Sequence, residues 1–244
     1  MKTIKLIRNL IVTVVSVLFI SQIVMAVPNI YNPDSEKQEK QEEEKKSERS
    51  DYESLVKMSE DTGFEDVEAG SWYANAVKFV TEKELMVGTP DGLFSPNDEV
   101  SRGMFISILY RMTDNKAADT KTTFSDLDEE KYYFDPVTWG YARGLIDGLS
   151  IDKFEPNESI SREQLVSFLY RFSRYDSYQN VDIEFDEEIS SFSDFNEISE
   201  YAVKPMKWAY TKGLIKGRVD NTLDPGSSVT RAEAAMIIWR FMNQ

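Results

Sequence analysis

Three arginines stand at one repeated place in this 244-residue chain: Arg102, Arg162 and Arg231, each fourteen positions after a glycine (Gly88, Gly148 and Gly217). Each follows a hydroxyl residue, Ser101, Ser161 or Thr230, that reads as the N-cap of a helix. A cation just inside a helix N-terminus has the wrong sign for the helix dipole, so three of them need an anionic partner. Two partners fit the spacing. One is an internal carboxylate such as Asp66, Asp126 or Asp194, giving a structural ion pair; the other is an external anion received by the guanidinium and the free helix amides. Spacing alone leaves both open. Few other chemistries survive the composition. With no histidine there is no Ser-His or Cys-His nucleophile and no imidazole metal site, and with no cysteine there is no disulfide or thiolate chemistry. Paired carboxylates such as Asp66 and Asp126 remain as the one acid/base option for a carbohydrate-active enzyme. They recur threefold, however, whereas catalytic pairs are asymmetric. Asp126-Leu127-Asp128 lacks the ligand spacing of a calcium loop, so neither metal nor cofactor is expected. The net charge of −15 repels nucleic acid at long range.

These residues belong to a unit that occurs three times. The copies open with Phe64-Glu65-Asp66, Phe124-Ser125-Asp126 and Phe192-Ser193-Asp194. Trp72, Tyr132 and Tyr201 each stand 16 positions before the glycine, with Val77, Val137 and Met206, then Phe79, Trp139 and Trp208, between. Each copy reads as helix, glycine-containing loop, helix. The first helix is expected to run from near the aromatic position to Glu84, Gly144 or Gly213, with Lys83, Arg143 and Lys212 in its last turn, where the dipole favours cations. Gly144 and Gly213 suit a left-handed C-cap; Glu84 does not, so the first copy is expected to end its helix differently. The loop carries Phe94-Ser95-Pro96, Phe154-Glu155-Pro156 and Leu223-Asp224-Pro225.

The second helix shows one apolar stripe at i, i+3, i+4 and i+7: Phe105, Ile108, Leu109 and Met112, then Leu165, Phe168, Leu169 and Phe172, then Ala234, Ile237, Ile238 and Phe241. Gln164 and Glu233 complete capping boxes and Met104 cannot, while Val100, Ile160 and Val229 precede the caps like hydrophobic staples. A unit of about 50 residues buries too little alone, so the three must share one core.

Phe-x-Asp, the aromatic, the glycine, the proline and Val229-Thr230-Arg231-Ala232-Glu233 together resemble the S-layer homology domain in three copies. The resemblance covers residues 64–242 and implies an all-α, pseudo-threefold assembly of helix-loop-helix repeats with grooves between neighbours. Its repeats fall at 63–112, 123–172 and 191–242. It implies non-covalent attachment to the bacterial cell wall through an acidic, pyruvylated secondary cell-wall polysaccharide. The family's arginine contacts the acidic sugar, a role that falls on Arg102, Arg162 and Arg231, with Glu233 in the one complete motif. Asp66, Asp126 and Asp194, the aromatics Trp72, Tyr132 and Tyr201, and the loop glycines Gly88, Gly148 and Gly217 match the remaining motif positions. A sugar face on an aromatic ring is physically sensible, though core packing explains those rings equally well. Gly103 and Met104 depart from the motif, which makes the first groove the least certain, and the acidic run Asp182 to Glu188 before the third copy stands where it could screen a neighbouring groove from an anionic polymer.

Ahead of the repeats, Lys2, Lys5 and Arg8 precede an apolar run from Leu10 to Ile20, and Val24-Met25-Ala26 ends on a small residue. This is the layout of a secretory signal peptide over residues 1–26, whose removal takes the net charge from −15 to −18. The competing reading is a retained membrane anchor from Leu10 to Ala26; its 17 residues sit at the short limit for a span. Residues 27–62 mix charges without apolar periodicity and read as a solvated linker able to recruit a protein partner. The sequence therefore predicts a secreted, non-enzymatic module of the cell wall or cell surface. The alternative is a degenerate scaffold of the same fold that binds protein or tethers membrane to wall.

Overall fold

The computed structural model describes residues 62–114, 122–175 and 184–244, all within one compact unit, Ser54–Gln244. The expected signal peptide, nearly all of the expected linker and Asp182 lie outside the described residues. Six α-helices are present among those described: α1 (Ala74–Glu82), α2 (Arg102–Arg111), α3 (Phe134–Ala142), α4 (Arg162–Tyr175), α5 (Val203–Thr211) and α6 (Arg231–Met242). Short 3-10 turns at Glu187–Ser191, Phe195–Glu197 and Glu200–Ala202 lead into α5. No strand forms among the described residues, and the architecture is all-α as the repeats predict.

The helices pair between copies in a closed ring. The first helix of each copy packs on the second helix of the copy before it: α3 on α2, α5 on α4, and α1 on α6. The apolar stripes meet in one core, with Phe105, Leu109, Leu165, Leu169, Phe172, Ala234 and Ile238 fully buried beside Val77, Val137, Trp139 and Met206. No copy has a core of its own.

The backbone closes the same ring. Val100 N–H donates to the Val229 carbonyl at 2.9 Å, Val229 N–H to Ile160 at 3.1 Å, and Ile160 N–H to Val100 at 2.9 Å. The residues expected as staples are thus the three members of a cyclic hydrogen-bond triad, with single antiparallel bridges beside it. At the start of each second helix the first two amides donate to the proline loop of the next copy. Arg102 and Gly103 bond Glu158 and Pro156, Arg162 and Glu163 bond Ser227 and Pro225, and Arg231 and Ala232 bond Asp98 and Pro96, all at 2.8–2.9 Å. These orphan donors are satisfied inside the protein. Gly103 is a requirement of that contact, because a β-carbon there would stand 2.8 Å from the Pro156 oxygen.

The caps follow the sequence closely. Ser101 and Thr230 accept from the third helical amide, Gln164 and Glu233 complete reciprocal boxes, and Ser101 caps without help from Met104. The first copy departs from expectation at Glu84. It takes φ +56°, beside +64° for Gly144 and +65° for Gly213, so all three first helices end in the same left-handed turn. The Leu85 amide returns to Val80, as Leu145 does to Gly140 and Leu214 to Ala209, and tertiary packing of the buried Leu-Met pair overrides the local preference of a non-glycine residue.

Candidate functional site

The grooves are built from residues that lie far apart in the chain. Each Phe-x-Asp aspartate grips the loop of its own copy. Asp66 accepts the Phe94 and Ser95 amides at 2.8 and 2.6 Å, and Asp126 accepts those of Phe154 and Glu155 at 3.0 and 2.7 Å. Asp194 accepts Leu223 and Asp224 at 2.8 and 2.7 Å. The second residue of each pair is left-handed, with φ of 55°, 59° and 50°, a conformation that non-glycine residues hold only when fixed from outside. The phenylalanine of the motif lies against the loop glycine. A β-carbon on Gly88, Gly148 or Gly217 would fall 2.5, 2.7 or 1.9 Å from the ring of Phe64, Phe124 or Phe192. These glycines permit a close approach, and none of the three has a positive φ.

That loop presents carbonyls to the arginine of the preceding copy. Arg102 donates from Nε to Phe154 O at 2.8 Å and from Nη2 to Asp147 O at 2.9 Å, with its Nη1 3.3 Å from Gln164 Oε1. Arg231 makes the corresponding bonds to Phe94 O and Val87 O, both at 2.7 Å. Arg162 donates to Lys216 O at 2.9 Å, while its buried Nε has no partner. The guanidinium carbons of Arg102 and Arg231 lie 4.5 and 4.6 Å from the ring centres of Phe154 and Phe94. The internal ion pair considered from spacing does not form: the aspartates hold loop amides, and none of the three arginines is ion-paired with a described carboxylate; nor are the helix amides free for an anion, since they hold proline-loop carbonyls. Burial pushes all three arginine pKa values down, that of Arg102 to about 10, at which its charge still persists at physiological pH without an internal counter-ion in contact.

Two open cavities follow one plan. The first, about 380 Å³, is lined by Val87, Gly88 and Thr89 of the first loop, Met104, Ser107 and Arg111 of α2, Arg231 from the third copy and Tyr132 from the second. The other, about 270 Å³, has Asp147, Gly148 and Leu149, then Gln164, Ser167 and Arg171 of α4, Arg102 from the first copy and Tyr201 from the third. One groove therefore draws on all three copies. Trp72, Tyr132 and Tyr201 are 54, 54 and 50 % exposed, so core packing does not account for them, and Tyr132 and Tyr201 stand at the rims of the two cavities. Trp72 and Tyr132 stand edge-on to Tyr73 and Tyr133 at 5.1 and 5.3 Å. Tyr201 is fixed by its hydroxyl, which donates to Glu163 at 3.0 Å. Burial and Glu163 push its pKa up to about 12, so it remains a neutral donor.

Both cavities also hold a second arginine that the motif reading passed over, Arg111 in the first and Arg171, paired with Asp147 at 2.6 Å, in the other, and Arg240 is the counterpart in the third copy. Arg111, Arg171 and Arg240 donate to the carbonyls of Leu85, Leu145 and Leu214 at 2.7, 3.4 and 3.0 Å. Their signal was present, since each follows the first arginine by nine positions in every copy. The described part of the acidic run lies elsewhere: Glu187 pairs with Lys207 of α5 at 2.7 Å, and the run lines neither cavity.

The pattern matches a family model, the S-layer homology domain, at residues 63–104, 123–166 and 191–235. The chain belongs to the S-layer homology family. Among curated relatives it is 30% identical over 175 residues to an endoglucanase of Bacillus sp. (strain KSM-635), an alignment covering 72% of this chain and 18% of the endoglucanase. It is 29% identical to a cellulosome-anchoring protein of Acetivibrio thermocellus, covering 62% of this chain and 34% of that protein. With the surface-layer 125 kDa protein of Lysinibacillus sphaericus the identity is 24%, over 77% of this chain and 16% of the relative. This chain thus spans about a third or less of each of these relatives, and what it shares with them is the S-layer homology module, found in enzymes and in surface proteins alike.

Proposed function

We propose that this chain is a non-covalent cell-wall anchor that receives an acidic, pyruvylated secondary cell-wall polysaccharide in grooves between its S-layer homology repeats. The observation that carries this reading is the arginine at each junction. It is aimed by carbonyls of a neighbouring repeat, keeps its charge, and has no ion-pair partner among the described residues. An uncompensated guanidinium at the edge of a cavity is suited to a ligand carboxylate, with the rim aromatic available to the sugar. Arg102, Arg162 and Arg231 are the proposed anion contacts, Arg111, Arg171 and Arg240 the supporting cations, and Trp72, Tyr132 and Tyr201 the stacking surfaces. The loop glycines and the Phe-x-Asp carboxylates shape the groove wall.

Two kinds of relative support the reading. One is named for anchoring the cellulosome and another for the surface layer, and the module recurs on proteins whose named activities differ, as expected of a binding part rather than a catalytic one. The signal peptide read from residues 1–26 would deliver the chain to the wall, and residues 27–62 would hold the repeats away from whatever they serve.

The test is co-sedimentation of the chain with purified cell walls, before and after chemical removal of the secondary polysaccharide. An Arg102→Ala/Arg162→Ala/Arg231→Ala variant, shown to be folded, runs alongside. Loss of sedimentation in both cases is the expected result. No sedimentation with untreated walls overturns the anchor and favours a protein partner, and sedimentation that survives stripping moves the target to the peptidoglycan.

A further inference from the structure

The two open cavities share a plan but differ in how much of their polar lining the protein itself has engaged. In the second, all three guanidinium nitrogens of Arg102 donate to the chain: Nε and Nη2 to the carbonyls of Phe154 and Asp147, and Nη1 to Gln164 Oε1 at 3.3 Å. Arg171 pairs with the Asp147 carboxylate at 2.6 Å. The Tyr201 hydroxyl donates to Glu163 at 3.0 Å.

The first groove keeps the backbone contacts and lacks the side-chain ones. Arg231 bonds the Phe94 and Val87 carbonyls through Nε and Nη2, and its Nη1 has no partner among the described residues. Arg111 donates to the Leu85 carbonyl and pairs with no described carboxylate. The Tyr132 hydroxyl bonds no described residue; the ring is held edge-on by Tyr133. Three sequence differences account for this. The residue before the loop glycine is Val87 in one copy and Asp147 in the next, and the third residue of the second helix is Met104 or Gln164. The counterpart of Glu163 is Gly103, where the Pro156 carbonyl leaves no room for a side chain.

We infer that the first groove is the tighter of these two for an acidic saccharide, and that Asp147 is the residue that weakens the second. The inference rests on the proposed function and ranks two of its sites. An anion entering the first groove meets two guanidiniums and no carboxylate in the lining, beside a phenol able to donate to a sugar hydroxyl. In the second groove Asp147 cancels one of the two cations, Gln164 already takes an arm of the other, and the phenol donates inward. Fewer open donors and one like charge make that site weaker by at least about tenfold. Asp147 is largely exposed, so its own share is screened to about three- to fivefold. Gly103 and Met104, the departures of the first copy from the motif, thus leave its groove more open to an anion.

Amide NMR of the nitrogen-15-labelled full chain, titrated with a monosaccharide bearing a cyclic pyruvate ketal, reads the grooves separately. Gly88 lines the first cavity and Gly148 the second, and Gly217 is their counterpart in the third copy. In the wild type the Gly88 amide is expected to reach half-saturation at a ligand concentration about tenfold or more below that of Gly148. Asp147→Asn should tighten binding at Gly148 by about three- to fivefold and leave the Gly88 midpoint in place. Val87→Asp should weaken binding at Gly88 by a similar factor and leave Gly148 in place. Both side chains are largely exposed, so neither exchange should disturb the fold, and the remaining amide signals check it. Equal midpoints in the wild type, a lower midpoint at Gly148, a response at Gly217 alone, no tightening in Asp147→Asn, or a shift of both midpoints together would each overturn the inference while leaving the function standing. No response at any of the three glycines would remove both.

Discussion

Asp194 is nearly buried, and both of its carboxylate oxygens receive backbone amides of the left-handed turn at Leu223 and Asp224. Asp194→Ala leaves two amides without acceptors in a site closed to water, and the expected loss is about 3 kcal/mol in urea unfolding with an unchanged m-value. Glu84 predicts the opposite sign. A left-handed non-glycine residue carries a steric cost of roughly 1–2 kcal/mol, part of which glycine returns as extra freedom in the unfolded chain. Glu84→Gly should therefore raise stability by about 1 kcal/mol, a gain readable from the same unfolding curves. The pH dependence of Tyr201 follows from its surroundings. Burial first and Glu163 second hold its folded pKa at about 12, against about 10 for an unfolded tyrosine. Between those values the unfolded chain has released a proton that the folded chain keeps, so the Tyr201 contribution is intact below about pH 10 and fades toward pH 12. Glu163→Gln should narrow that window, and absorbance titration of the phenols checks it. At this scale the sequence was partly legible. The arginines stood out because their charge opposes the helix dipole, yet nothing in local spacing said that the Phe-x-Asp carboxylates would take loop amides some 28 to 30 residues away.

At the scale of elements, the second helices were readable almost to the residue, because N-caps and apolar stripes are local signals that burial then reinforces. The end of α1 was not, because packing of Leu85 and Met86 imposes the left-handed turn regardless of what residue stands at Glu84. The loop glycines illustrate the same limit. Their recurrence is plain in the sequence, but its cause is a phenylalanine ring from the start of the copy, which only the folded loop brings alongside. Gly217→Ala is a sharp test: the new β-carbon would lie 1.9 Å from Phe192, so either the ring or the loop must move. We expect a loss of about 2 kcal/mol or more in thermal or denaturant unfolding, and a comparable loss for Gly148→Ala, whose β-carbon would stand 2.4 Å from the backbone carbonyls of Ser150 and Lys153.

For the whole molecule, the need for a shared core was evident from copy length, whereas the manner of closure was not. Backbone hydrogen bonds among Val100, Ile160 and Val229 carry no side-chain signature, and the apolar character of those residues suggested only a staple. Closure has a consequence for cooperativity. An open array of repeats can fray from its ends, but here the third copy contributes α6 to the packing of α1 and the carbonyl that receives Val100, so no copy is terminal. The three should unfold in one transition, with circular dichroism and tryptophan fluorescence coincident although Trp139 and Trp208 sit in different copies. Separate transitions by the two probes would show that the ring is not cooperative. The same geometry bears on the proposed attachment to an acidic polymer. With a net charge of −15, a general field would repel an anionic polymer, but at physiological salt the Debye length is about 8 Å and distant carboxylates are screened, while each groove arginine acts in contact. Wall co-sedimentation should therefore change by less than about tenfold between roughly 0.05 and 0.5 M sodium chloride, since weaker contact attraction and weaker global repulsion offset one another. A steep fall over that range would mean that many exposed charges hold the polymer and that the grooves do not.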